Sequence, residues 1–169
     1  MERFINAVIL ALENKNWYGV LFIALSLPDI CGSVDNPNTG SAERYTKWFK
    51  KYVEPKYTHC VGADEIKHVF LYADDCYALR CAYLHAGSGE ITSQRIQQVL
   101  DSFVFVIPPA TGSMHCNKFN TTLQLQVDRF CKDICLGAQE WQKDIKDNEE
   151  KIKRLADFLT IYSRFEGKR

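Results

Sequence analysis

The chain lacks net charge: 21 basic residues balance 21 acidic ones. Sequence-independent binding to nucleic acid needs a basic surface, and this composition does not supply one in bulk, which leaves only a local basic cleft. Long apolar runs are also missing. Phe4 to Leu12 and Trp17 to Leu27 are the two apolar stretches, and both fall short of the ~20 residues that span a bilayer. The first runs into Glu13-Asn-Lys-Asn16 with no small-residue cleavage site, which argues against a secretory signal. There is no internal repeat, low-complexity segment, Gly-rich phosphate loop, Gly-x-Ser-x-Gly elbow or zinc-protease motif. The expectation is a soluble, cytoplasmic protein with no membrane segment and no cofactor.

What is present describes a folded chain. Its 169 residues suit a single domain spanning 1–169, and 46% apolar and 12% aromatic content supplies a core. Seven cysteines are many for that length. The number is odd and the spacing irregular, so reduced thiols are expected rather than a disulfide framework.

Hydrophobic spacing gives the elements. Phe4, Ile5, Val8, Ile9 and Leu12 predict a helix over 2–14. Residues 17–27 predict a more fully buried helix ending near Pro28. In the tail that follows, Asp29 sits among apolar residues and needs a partner. Residues 33–41 read as a loop. Over 42–53, Tyr45, Trp48, Phe49 and Tyr52 line one helix face and Lys47, Lys50 and Lys51 the other. A core-facing aromatic stripe with a solvated back is favoured there over a single-strand binding platform. A long helix is expected over 65–86, with Asp64 as N-cap and Gly87 as stop. Its apolar stripe is Ile66, Val69, Phe70, Ala73, Tyr77, Cys81 and Leu84; Leu71, Ala78 and Ala82 form a second strip nearly opposite. Phe103 to Ile107 and Thr121 to Val127 read as strands paired in a hairpin, about 102–127, through the loop containing Gly112. Helices return over 128–163, with a break near Gly137 or Asp147-Asn148. The fold class is therefore mostly α: a bundle of five or six helices with a small β-hairpin insertion.

Chemistry concentrates in Tyr77-Ala-Leu-Arg-Cys-Ala-Tyr-Leu-His85. Arg80 falls within the apolar stripe of its helix and His85 on its edge. A buried, unpaired cation is costly, so Arg80 needs an anionic partner, a second role, or both. Asp29 and Asp75 are the candidate partners. Histidine changes charge near neutral pH, and near a helix C-terminus it is also favourable on dipole grounds alone. Asp74-Asp75 reads as a solvated pair, since one acid pair on one helix is too little for a metal-dependent nuclease. Cys131, Cys135, His115 and Cys116 are four ligand types that zinc accepts. Cysteines at i, i+4 on an apolar face are more often small core residues, so no metal is expected.

Arg80-Cys-Ala-Tyr-Leu-His85 resembles the Arg-x(4–6)-His signature of the HEPN superfamily, small helical bundles that include many metal-independent RNases of toxin–antitoxin, antiphage and CRISPR systems. The resemblance implies an endoribonuclease in which Arg80 holds the scissile phosphate and His85 transfers the proton, with two motifs meeting across a homodimer. It also implies RNA as substrate and an antitoxin or other protein as partner. Only Arg80 and His85 match the motif. The residue after the arginine is polar, often Asn, in many active members and is Cys81 here. The alternative implied is a non-catalytic HEPN-like module binding a protein or nucleotide partner. Asp29 and Cys81 are the supporting residues. The physical logic is consistent: cleavage through the RNA's own 2′-hydroxyl needs proton transfer and a cation for the developing charge, and no metal. Arginine is the planar, permanently charged fork suited to phosphate.

Overall fold

The computed structural model describes residues 1–62 and 64–161. Among them are six α-helices: α1 (Glu2–Glu13), α2 (Trp17–Asp35), α3 (Ser41–Tyr52), α4 (Ala73–Ala86), α5 (Val127–Ile145) and α6 (Glu149–Ala156). The five strands are β1 (Thr58–Val61), β2 (Ile66–Val69), β3 (Ser102–Val106), β4 (Asn117–Phe119) and β5 (Thr122–Gln126), and a 3-10 turn (Glu54–Tyr57) precedes β1. The protein is thus mostly helical, as its hydrophobic spacing implies.

α2 is the central helix, touching α1, α3, α4, α5 and α6. Its buried residues run from Val20, Leu21, Ala24 and Leu25 through Leu27, Cys31 and Val34. The expectation that it stops near Pro28 is wrong. Proline removes one N–H and crowds the preceding turn, a cost of about 3 kcal/mol in a helix interior. Here Leu27, Cys31 and Val34 are all at most 1% exposed, and burying such side chains contributes about 1.5–3 kcal/mol each. Tertiary packing therefore outweighs the local penalty. At 19 residues this helix is long and apolar enough to cross a membrane by length and composition, and half of its apolar window is buried inside the protein.

α3 meets its expectation closely. Tyr45, Trp48, Phe49 and Tyr52 are buried and Lys47, Lys50 and Lys51 exposed. The aromatic stripe is core.

The helix expected over 65–86 is two elements. Ile66–Val69 is β2, paired antiparallel with β1 in the register Thr58↔Val69 to Val61↔Ile66. Asp64 is not a cap; α4 begins after Tyr72. Gly87 does stop the helix, adopting the left-handed conformation (φ 65°) while its N–H bonds Tyr83 O and the Ser88 N–H bonds Ala82 O. That conformation is strained for residues with a Cβ, which is why a glycine serves as the stop.

The hairpin expected over 102–127 is also corrected. β3 and β5 are parallel, register Ser102↔Thr122 to Val106↔Gln126, and β4 pairs antiparallel on the other edge of β5. The tight turn is at Asn120 (φ 52°), between β4 and β5. Asparagine tolerates that conformation better than other residues with a side chain. Parallel neighbours need a long connection, and the Pro108–Gly112 loop with β4 supplies it. β5 leads directly into α5, which is continuous through Gly137. The helix break falls at Asn148, whose side chain caps α6 by accepting the Lys151 N–H at 3.0 Å. Residues 157–161 are not helical, and 162–163 of the expected C-terminal helices lie outside the described residues.

Candidate functional site

The site is built on α2, α3 and α4. Asp29 of α2 accepts hydrogen bonds from two arginines at once. Arg44 Nε of α3 lies 2.6 Å from Oδ1, and Arg80 Nη2 of α4 lies 3.0 Å from Oδ2. The side chains are 14% exposed for Asp29, 24% for Arg44 and 19% for Arg80. The expected Asp29–Arg80 pair is therefore present, and Arg44 is an addition the sequence reading missed. Arg44 lies four residues before Trp48, on the margin of the aromatic stripe; that spacing is the one local signal for it.

Close helix approach makes the cluster. Gly32 of α2 lies against the Arg44 backbone, where a Cβ would meet the carbonyl oxygen at 2.6 Å. Asp29 and Gly32 are three residues apart on α2, hence on one face. The glycine that lets α3 in is thus beside the carboxylate that receives its arginine.

α4 presents a different face from the one expected. Its deeply buried residues are Ala73, Asp75, Cys76, Ala78, Leu79, Ala82 and Tyr83, while Tyr77, Arg80, Cys81 and Leu84 are half-buried. Arg80 sits on the margin of the core rather than inside it. Its guanidinium lies over the Tyr77 ring, 5.9 Å from the centroid, and Nη1 is 4.0 Å from Cys81 Sγ, the outer limit of a sulfur hydrogen bond. Arg80 Nε is buried without a partner among the described residues. Tyr77 is fixed by a 2.9 Å hydrogen bond with Ser41 at the start of α3. Arg80, Asp29 and Cys81 are thus brought together.

His85 is exposed in the last turn of α4 and makes no hydrogen bond or ion pair among the described residues. No bond joins it to Arg80 or Asp29.

Asp75, expected on a solvated face, is fully buried. Its carboxylate accepts the backbone N–H groups of Gln98 (2.7 Å) and Val99 (3.1 Å). It holds the chain between α4 and β3 and does not pair with Arg80. Asp74 lies 3.5 Å from Lys50.

Electrostatically, the Asp29 cluster is unbalanced. Two permanent cations share one carboxylate, so one positive charge is left over. A half-buried surplus cation favours an anion. With the bonds it already makes, Arg80 keeps an unmatched Nε–H.

The cysteines do not form a site of this kind. Cys131 and Cys135 are buried on α5, and burial pushes the Cys135 thiol up to about 11. No three of His, Cys, Asp and Glu converge as metal ligands among the described residues.

No protein-family model, curated protein or solved structure matches this chain.

Proposed function

We propose that this chain is a HEPN-like helical bundle that acts in the cytoplasm as a homodimeric, metal-independent endoribonuclease. The observation that carries the reading is the charge surplus on Asp29, where Arg44 and Arg80 share one carboxylate. A phosphodiester supplies the missing negative charge, and arginine forks suit its geometry. In this reading Arg80 and Arg44 hold the scissile phosphate and Asp29 orients both guanidiniums. His85 transfers the proton. Residues five apart on a helix point about 140° from each other, so His85 of one subunit works with the arginines of its partner. Two subunits also supply the base and the acid that cleavage through the 2′-hydroxyl requires.

A second reading has a specific observation behind it. Arg80 is already tied by Asp29 and lies against Cys81, where many active members of the family carry a polar residue, often Asn. This favours a non-catalytic module that uses the same surplus charge to bind a nucleotide or protein partner.

Both readings are tested by RNA cleavage with a chelator present, comparing wild type, Arg80→Ala and His85→Gln. His85 is exposed and unbonded, so its substitution leaves stability within about 0.5 kcal/mol and isolates the proton transfer. The enzyme reading expects chelator-resistant cleavage that is lost in both variants, and matching loss of growth toxicity. Cleavage in neither variant nor wild type, with RNA bound by wild type and lost in Arg80→Ala, selects the binding module. Equal cleavage by all three rejects both.

A further inference from the structure

A second cluster of charged side chains shares no residue with the Asp29 cluster. An open cleft of about 550 Å³ is lined by Lys56 from the 3-10 turn, His59 from β1, His115 from the segment before β4, and Arg129, Lys132 and Asp133 from α5. The last three are spaced i, i+3, i+4, so they share one helix face. Cys116 follows His115 with φ 58°, a left-handed turn unusual for a residue with a side chain.

The polar groups here are sorted by role. Lys56 is bonded to Glu140 at 2.8 Å and Lys132 to Asp128 at 3.0 Å. Arg129 is exposed and makes no ion pair among the described residues. It lies in the first turn of α5, where the helix dipole also favours negative charge. His115 Nδ1 accepts the Gln126 backbone N–H at 3.1 Å, so Nε2 carries the proton and serves as a donor. Asp133 receives the Tyr57 hydroxyl at 3.1 Å and lies 3.9 Å from His115 Nε2. Its second oxygen, Oδ1, accepts nothing from the described residues. One cleft therefore holds an unpaired arginine beside lysines, an imidazole N–H donor, and an ionisable acceptor.

We propose that this cleft binds a small phosphate monoester carrying a hydroxyl group, of the nucleoside monophosphate class. The phosphate sits between Arg129 and Lys132, with the His115 Nε2–H as a further donor. Asp133 Oδ1 accepts from a sugar hydroxyl. The volume lies within the ~300–1,000 Å³ of small-ligand sites, and three cations around one hollow suit a single phosphate better than a backbone track. The site does not depend on the RNase reading.

The test is calorimetric titration of the full chain with the four ribonucleoside 5′-monophosphates and with inorganic phosphate. At least one nucleotide is expected to bind more tightly than phosphate. Arg129→Ala is expected to weaken it about tenfold, the worth of one charge-assisted contact of roughly 1.4 kcal/mol. Asp133→Asn retains an acceptor for Tyr57. It removes the carboxylate that accepts the sugar hydroxyl and is expected to erase the preference for nucleotide over phosphate. The proposal is overturned by no nucleotide binding tighter than about 1 mM, by affinity equal to that of inorganic phosphate, or by affinity unchanged in Arg129→Ala. Loss of binding in Asp29→Ala alone would assign the nucleotide to the other cluster and also overturn it.

Discussion

Gly32 and Arg44 touch backbone to backbone. A Cβ on Gly32 would sit 2.6 Å from the Arg44 carbonyl oxygen and 2.9 Å from its carbon. Neither atom can rotate away, so Gly32→Ala must push α3 off α2. Overpacking of this kind costs about 1–3 kcal/mol. A drop of several degrees in Tm is expected for a chain of this length. The same shift draws Arg44 from Asp29, so the 2.6 Å pair should weaken together with stability. Unchanged denaturant midpoints for Gly32→Ala would contradict the close approach.

The shared carboxylate fixes an order of effects. Asp29→Ala strands two half-buried guanidiniums, whereas Arg44→Met leaves Asp29 paired with Arg80. Breaking a fully buried pair costs about 3–5 kcal/mol. With these side chains 14–24% exposed, solvent reduces that to roughly 2 kcal/mol for Asp29→Ala, and Arg44→Met should cost clearly less. Urea denaturation of the two variants checks the order, and equal losses would mean that the arginines do not depend on Asp29 together.

Asp75 makes a comparable statement about the chain that follows α4. Its buried carboxylate is the acceptor for Gln98 and Val99 N–H. Asp75→Ala leaves two backbone donors unsatisfied, at about 1–3 kcal/mol each when fully buried. Gln98 and Val99 are themselves exposed, so water recovers part of this and a net loss of about 2 kcal/mol is expected. Amide exchange at these two positions should accelerate well before exchange in α2.

The helices were legible where one face is buried along their whole length. The aromatic stripe of α3 and the apolar face of α5 have spacing that only a helix satisfies. Ile66, Val69, Phe70 and Ala73 have the same spacing by coincidence. β2 forms because Lys67 and Val69 find their partners in Cys60 and Thr58, a pairing that no local pattern encodes. The parallel β3–β5 ladder is likewise a long-range choice, invisible in two apolar runs joined by a loop with a glycine. At the candidate site, the need of Asp29 for a cation was legible from its apolar neighbours. The identity of the second cation was not, because α2 passes through Pro28 and carries Gly32 into contact with α3. The cleft at Arg129 was hidden for a simpler reason. Its residues come from four separate elements, and of its two histidines only His115 stood out, as a candidate zinc ligand.

His115 gives the protein a pH dependence with a definite sign. Burial, with Arg129 and His59 adding to it and Asp128 opposing, lowers its pKa from the usual 6.5 to about 4. The hydrogen bond explains part of the resistance to protonation, since a proton on Nδ1 would face the Gln126 N–H. Between pH 4 and 6.5 the unfolded chain holds this proton and the folded chain does not, so stability contributed by neutral His115 is present above 6.5 and is lost as pH falls toward 4. The loss is on the order of 3 kcal/mol across that window. Asp133 works in the opposite sense, because burial raises its pKa and the folded chain takes up its proton first. Comparison with His115→Asn separates the two, because the Asn side-chain oxygen keeps an acceptor for Gln126 while removing the titrating ring. Denaturation measured from pH 4.5 to 7 should show wild type losing more stability than His115→Asn as the pH falls. Parallel pH profiles would mean that His115 titrates alike in the folded and unfolded chains.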